Sequence, residues 1–155
     1  MRKVALVLTL NGEKRLKWPA AEIWPKLVNL QFLVDCLPDL HAIKSMHDSQ
    51  AEVVLRPGFS FARSEMQLKI EKLEETPPTT ACFSFATKGI GSSSLVEARF
   101  HLVDGGGGCT IQWTADVQQL AGLLKAVPTG LIQAGAERVI NELLANVETR
   151  LSQTT

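Results

Sequence analysis

The chain has 155 residues, with sixteen basic and sixteen acidic side chains and so no formal net charge. That length suits one domain with a buried core, residues 1–155, better than two. Balanced charge supplies none of the positive surface on which nucleic-acid or anionic-membrane binding depends, and no apolar run approaches the roughly twenty residues needed to span a bilayer.

Met1-Arg2-Lys3 and the apolar residues after them look like the start of a signal peptide. The run gives way to Asn11-Gly12-Glu13-Lys14-Arg15 without a small-residue cleavage site, so a cytoplasmic protein is expected. Val4, Leu6, Leu8 and Leu10 alternate with Ala5, Val7 and Thr9 as in a strand, which can stay extended to about Trp18. Lys14, Arg15 and Lys17 read as a solvated strand edge, since lysine-rich edges discourage unwanted pairing. Pro19 opens a short helix over residues 20–28, because its missing N–H would have no partner in a first turn, and Pro25 makes that helix irregular. A second short helix over residues 30–37 ends at Pro38.

From Leu40 to Val117 the period changes to that of six strands. Met66, Leu68 and Ile70 alternate with Gln67, Lys69 and Glu71. Phe83 and Phe85 alternate with Cys82, Ser84 and Ala86; Val96, Ala98, Phe100 and Leu102 with Glu97, Arg99 and His101; Ile111, Trp113, Ala115 and Val117 with Gln112, Thr114 and Asp116. The breaks at Arg56-Pro57-Gly58, Thr76-Pro77-Pro78, Lys88-Gly89-Ile90-Gly91 and the glycines at 105–108 carry turn chemistry. Breaks this short favour antiparallel neighbours, and therefore a meander.

Residues 120–151 read as helical in two phases. Leu120, Leu123, Leu124, Val127 and Leu131 share one face; Ala136, Val139, Ile140, Leu143, Leu144, Val147 and Leu151 share another. Pro128 lies between, so a short segment over 119–127 precedes the long helix. The fold class is therefore α+β, a curved antiparallel sheet of about seven strands in β-α-α-β6-α order around a long C-terminal helix. Such a sheet crossed by one helix tends to enclose a cavity. Its candidate lining is Met66, Leu68, Ile70, Phe83, Phe85, Val96, Phe100, Ile111 and Trp113 from the strands, with Leu124 and Leu131 from the helical region. The same side chains, each contributing roughly 1.5–3 kcal/mol when fully buried, would equally make a filled core.

Catalytic signals are weak. His41, His47 and His101 lack metal-ligand spacing, and His101 falls on a wet face. Gly58-Phe59-Ser60-Phe61-Ala62 lacks the final glycine of a nucleophile elbow, and tyrosine is absent. The glycine-rich breaks lie between strands and read as hairpin loops rather than phosphate cradles. The three cysteines, Cys36, Cys82 and Cys109, show neither CxxC nor zinc spacing and read as buried thiols in a reducing compartment. No metal or cofactor is expected. Arg63, Glu65 and Lys88 would orient a polar headgroup if a cavity mouth lay near them, and are otherwise solvated loop charges.

In this order the elements resemble the helix-grip superfamily of START/Bet v 1-like proteins, which includes lipid-transfer domains and polyketide cyclases. The stretch WPKLVNLQFLVDCLPDL at residues 24–40, Gly107-Gly108-Cys109-Thr110-Ile111-Gln112-Trp113 and Leu120-Ala121-Gly122-Leu123-Leu124 resemble more narrowly the relatives of the G subunit of carbon monoxide dehydrogenase. Asp39 departs from the pattern, standing where many relatives have glycine. The apolar tail of longer members is not expected here. The resemblance implies a hydrophobic or amphipathic small-molecule partner, lipid- or quinone-like, and an accessory role beside a molybdenum-containing oxidoreductase complex. A cyclase or dehydratase using one buried acid or base, and an interaction module with a filled core, are the alternatives.

Overall fold

The computed structural model describes residues 7–57, 65–89 and 91–153. Strand β1 (Leu8–Leu16) is followed by α1 (Ala20–Leu27) and α2 (Leu30–Asp35), then β2 (Leu40–Met46), β3 (Gln50–Leu55), β4 (Met66–Thr76), β5 (Thr80–Gly89), β6 (Ser92–Gly105), β7 (Gly108–Gly122) and the long helix α3 (Thr129–Gln153). The seven strands form one antiparallel sheet in the order β1-β7-β6-β5-β4-β3-β2. Strands β2 to β7 are a meander of hairpins, and β1 returns to pair with β7, so β1 and β2 are the two edges.

Local chemistry explains the short helices. Pro19 holds extended backbone just before α1, and the first free N–H of that helix, on Ala20, donates to the Asp104 carboxylate at 2.7 Å. The Asn29 side chain caps α2 by accepting from the Phe32 N–H. On edge strand β1, Lys14 pairs with Glu148 of α3 at 3.2 Å, and the Arg15 guanidinium donates to the Gly105 carbonyl. Part of the basic cluster therefore ties neighbouring elements to the edge.

The region after Val117 differs from the expected helix over 119–127. Strand β7 continues to Gly122, because Ser92, Ser93 and Ser94 of β6 face Gly122, Ala121 and Leu120 and supply ladder partners. Only Leu123–Ala126 coil, as a single 3-10 turn. Gly122 makes the exit: its φ is +65°, and a Cβ there would collide with the Gly91 carbonyl.

Paired residues of adjacent strands share a face, so the register defines rows across the concave surface. Ala51, Ile70, Phe85, Val96 and Val117 form one; Phe83, Ala98, Ala115 and Leu10 the next; Ala81, Phe100, Trp113 and Gly12 another. One end of this surface is solid. Ile23, Trp24 and Leu27 of α1, Leu30 and Val34 of α2, and Val147 and Leu151 of α3 pack there on Leu16, Ile70, Ala81, Leu102 and Cys109. The C-terminal half of α3 is fastened to this end, where Asn146 also donates to the Cys36 carbonyl at 2.8 Å.

Candidate functional site

Toward the other end, α3 stands over the sheet without filling the space beneath it. The cavity measures about 330 Å³ and is walled mainly by strands β4 to β7, by α3 from Ile132 to Val147 and by the α2–β2 connection, with Leu10, Leu27, Leu33 and Leu55 at its margins. Its emptiness follows from side-chain size. Ala98 and Ala115 are paired neighbours at the centre of the sheet, and Gly135 and Ala136 line the same cavity from the helix. Small residues at facing positions leave a void that the larger ones around them do not close.

Aromatic rings separate the hollow end from the solid one. Phe83 stacks on Phe100 with ring centroids 6.2 Å apart and planes at 21°, and Trp24 meets Phe100 edge-on at 5.9 Å. Trp113, opposite Gly12 on β1, depends on that glycine: a Cβ on Gly12 would lie 2.6 Å from the indole Cζ2. Only a residue without a side chain lets the ring settle over β1.

Of the candidate lining residues, Met66, Leu68, Phe83, Phe85, Val96, Phe100, Ile111, Trp113 and Leu124 border the cavity. Two do not. Ile70 is fully buried in the solid core beneath α1 and α2, because alternation assigns a face but not a position along it. Leu131 is 52 % exposed. The helix restarts after Pro128 with Ile132 inward, and one residue of offset, about 100° at 3.6 residues per turn, turns Leu131 to solvent. Thr87 and Ser94, which also line the cavity, were missed, although one more step of the alternation from Phe85 and from Val96 reaches both.

The wall carries little charge. Arg99 and Thr114 touch it from the outward register positions beside Phe100 and Trp113. Asp39 borders it at the α2–β2 turn, within 3.9 Å of Arg138 on α3. Its φ is +62°, the left-handed region that favours glycine, which accounts for the residue expected there by resemblance. Glu65 points elsewhere. It is exposed and bonded to Arg56 at 2.8 Å, and that guanidinium holds its carboxyl below the usual range. His41 lies 3.8 Å from the same carboxylate, His47 is exposed, Asp116 accepts from Thr9, and His101 bonds Thr80 on the outer face. Lys88 is exposed on β5; Arg63 and the 58–62 motif lie outside the described residues.

Cys36, Cys82 and Cys109 are free and buried, and none borders the cavity. Burial pushes the Cys36 thiol up to about 11, with Asp35 adding to the rise and Arg150 opposing it. Cys82 and Cys109 are raised by the same cause, so each is held as a neutral thiol. Among the described residues no cluster of three or more metal-ligating side chains occurs, and no helix is long and apolar enough to cross a membrane.

Solved structures share this architecture. A conserved protein from Geobacillus kaustophilus superposes with a TM-score of 0.85 at 18 % identity, over 95 % of this chain and 97 % of its own. A START superfamily protein from Mycobacterium smegmatis gives 0.70 at 13 % identity, over 95 % and 99 %, and a protein from Thermus thermophilus gives 0.70 at 12 %, over 96 % and 99 %. At such identities these likenesses establish the fold, which is the START-like helix-grip arrangement. No curated protein matches the chain. The family described as the G subunit of carbon monoxide dehydrogenase (CoxG) matches residues 12–152, across both short helices, the whole meander and nearly all of α3, and the chain belongs to that family.

Proposed function

We propose that the protein binds a hydrophobic or amphipathic small molecule between the sheet and α3, without transforming it. The observation that carries this is the hollow itself: about 330 Å³ of space lined by aliphatic and aromatic side chains, within the roughly 300–1,000 Å³ of small-molecule sites. A filled interaction module would have no use for such a volume, which forfeits dispersion contacts on every wall. A cyclase or dehydratase needs an acid or base poised inside. Among the described residues the carboxylate nearest that role is Asp39, which sits at the turn beside Arg138 rather than in the interior.

Membership of the CoxG family favours an accessory role beside a carbon monoxide dehydrogenase or a related molybdenum-containing oxidoreductase, with a lipid- or quinone-like molecule as the cargo. Native mass spectrometry of protein purified from its own host tests the binding role. The expected result is a retained mass that is lost on mild activation and extracts into organic solvent. Repeated absence of such a mass, together with failure to take up the neutral fluorophore N-phenyl-1-naphthylamine, would overturn it.

A further inference from the structure

We infer that Thr87 and Ser94 form the polar anchor of the cavity, and that its ligand carries one uncharged hydroxyl or carbonyl group seated on them, with the hydrocarbon body directed toward Phe83, Phe100 and Trp113. This rests on the reading of the cavity as a binding site. One row of the concave face runs Val53, Leu68, Thr87, Ser94, Leu120, so two hydroxyls interrupt an otherwise aliphatic line. Both border the cavity. Each lies two residues inside the β5–β6 turn, since β5 ends at Gly89 and β6 begins at Ser92. They therefore sit at the end of the sheet remote from the solid core, while the aromatic rings stand at its far side.

Their hydrogen-bonding capacity is not exhausted. The two hydroxyls bond to each other across the strands, which consumes one of their two protons. One O–H donor and several lone pairs remain, and neither side chain has another partner among the described residues. Among the described residues the charged side chains on the cavity wall are Asp39 and Arg99. Asp39 is acidic and already faces Arg138, and Arg99 occupies an outward register position, so a carboxylate or ammonium head would lose hydration without a counter-ion. A neutral donor or acceptor meets its match. A purely structural cross-strand pair would instead stabilise the sheet and leave ligand choice unaffected.

The test separates these. Displacement of N-phenyl-1-naphthylamine gives relative affinities for decane, decan-1-ol, decan-2-one and decanoate at pH 8, for the wild type, Thr87→Val/Ser94→Ala and Thr87→Ser. The double variant is expected to lose roughly two- to tenfold in affinity for the alcohol and ketone relative to decane, the worth of one hydrogen bond, while decane itself is not weakened. Thr87→Ser retains the wild-type ratio of alcohol to alkane, and decanoate binds the wild type more weakly than decan-1-ol. If alcohol and alkane fall together, if Thr87→Ser loses the alcohol as the double variant does, or if decanoate matches the alcohol, the anchor is refuted and the cavity reading survives. If the wild type takes up neither decane nor decan-1-ol, the cavity reading fails and the anchor with it.

Discussion

Trp113 and Ile70 lie on the same face of the sheet, one beside the hollow and the other in the solid core, and truncating each to alanine should invert the order that side-chain size suggests. A tryptophan packed on all sides loses about 3–5 kcal/mol on truncation, and a buried isoleucine about 2–5 kcal/mol. Trp113 is only half-buried: its ring rests over Gly12, and the residue also borders the cavity. Its removal therefore forfeits contacts on one side and merges its space with an existing void instead of opening a new closed one, so the expected cost falls to about 2 kcal/mol. Ile70 is 0 % exposed, between Ala51 and Phe85 in its row. Its truncation leaves a sealed void among residues that cannot collapse, for an expected cost of about 3 kcal/mol or more.

Urea unfolding of both variants measures the difference, given an unchanged slope with denaturant, which certifies that the unfolded state is the same. Both effects are large enough to read against a total stability of about 5–15 kcal/mol. A loss of about 4 kcal/mol or more at Trp113, with less than about 2 kcal/mol at Ile70, would mean that the ring is packed on both faces and that the hollow is closed in solution.

Gly12→Ala should cost about 1–3 kcal/mol by overpacking, since its methyl would sit 2.6 Å from Trp113; on a Trp113→Ala background the cost should nearly vanish, a coupling that a double-mutant cycle reads directly. At Asp39, with φ +62°, glycine should hold stability within about 0.5 kcal/mol or raise it, whereas valine should lower it by about 1–2 kcal/mol by thermal or urea unfolding. For Cys36 the native pKa, about 11, lies above its ordinary 9.0, so the folded state binds the extra proton between those values. Its contribution is complete below about pH 9 and is lost as pH rises toward 11, at up to about 1.4 kcal/mol per pH unit. Cys36→Ala should flatten that alkaline slope, and a variant with the same slope as the parent would show that another group titrates there.

The strands and their order were legible because a two-residue period survives wherever one face is dry and the other wet, as at Met66, Leu68 and Ile70 against Gln67, Lys69 and Glu71. The helical reading of residues 119–122 failed for a reason outside that segment. Leu120 fits a helical stripe by spacing, yet three serines on β6 hold it in the ladder, and a tertiary partner outweighs a local pattern. Leu131 failed similarly: Pro128 indicates that the phase resets, but which of Leu131 and Ile132 then turns inward is decided by the sheet below.

The hollow was the least legible feature, because a void is a deficit of volume summed over elements far apart in the chain. Ala98 and Ala115 are neighbours only through the β6–β7 register, and Gly135 joins them only because α3 crosses above. Read singly, each is an unremarkable small residue. Together they remove the bulk that would complete the core, while Phe83 and Phe100 stack on each other and Trp24 meets Phe100 edge-on. Alternation thus identifies which side chains face inward. Whether inward means filled or empty depends on which small residues meet across the sheet and under the helix, and that is set by register and helix phase rather than by hydrophobicity.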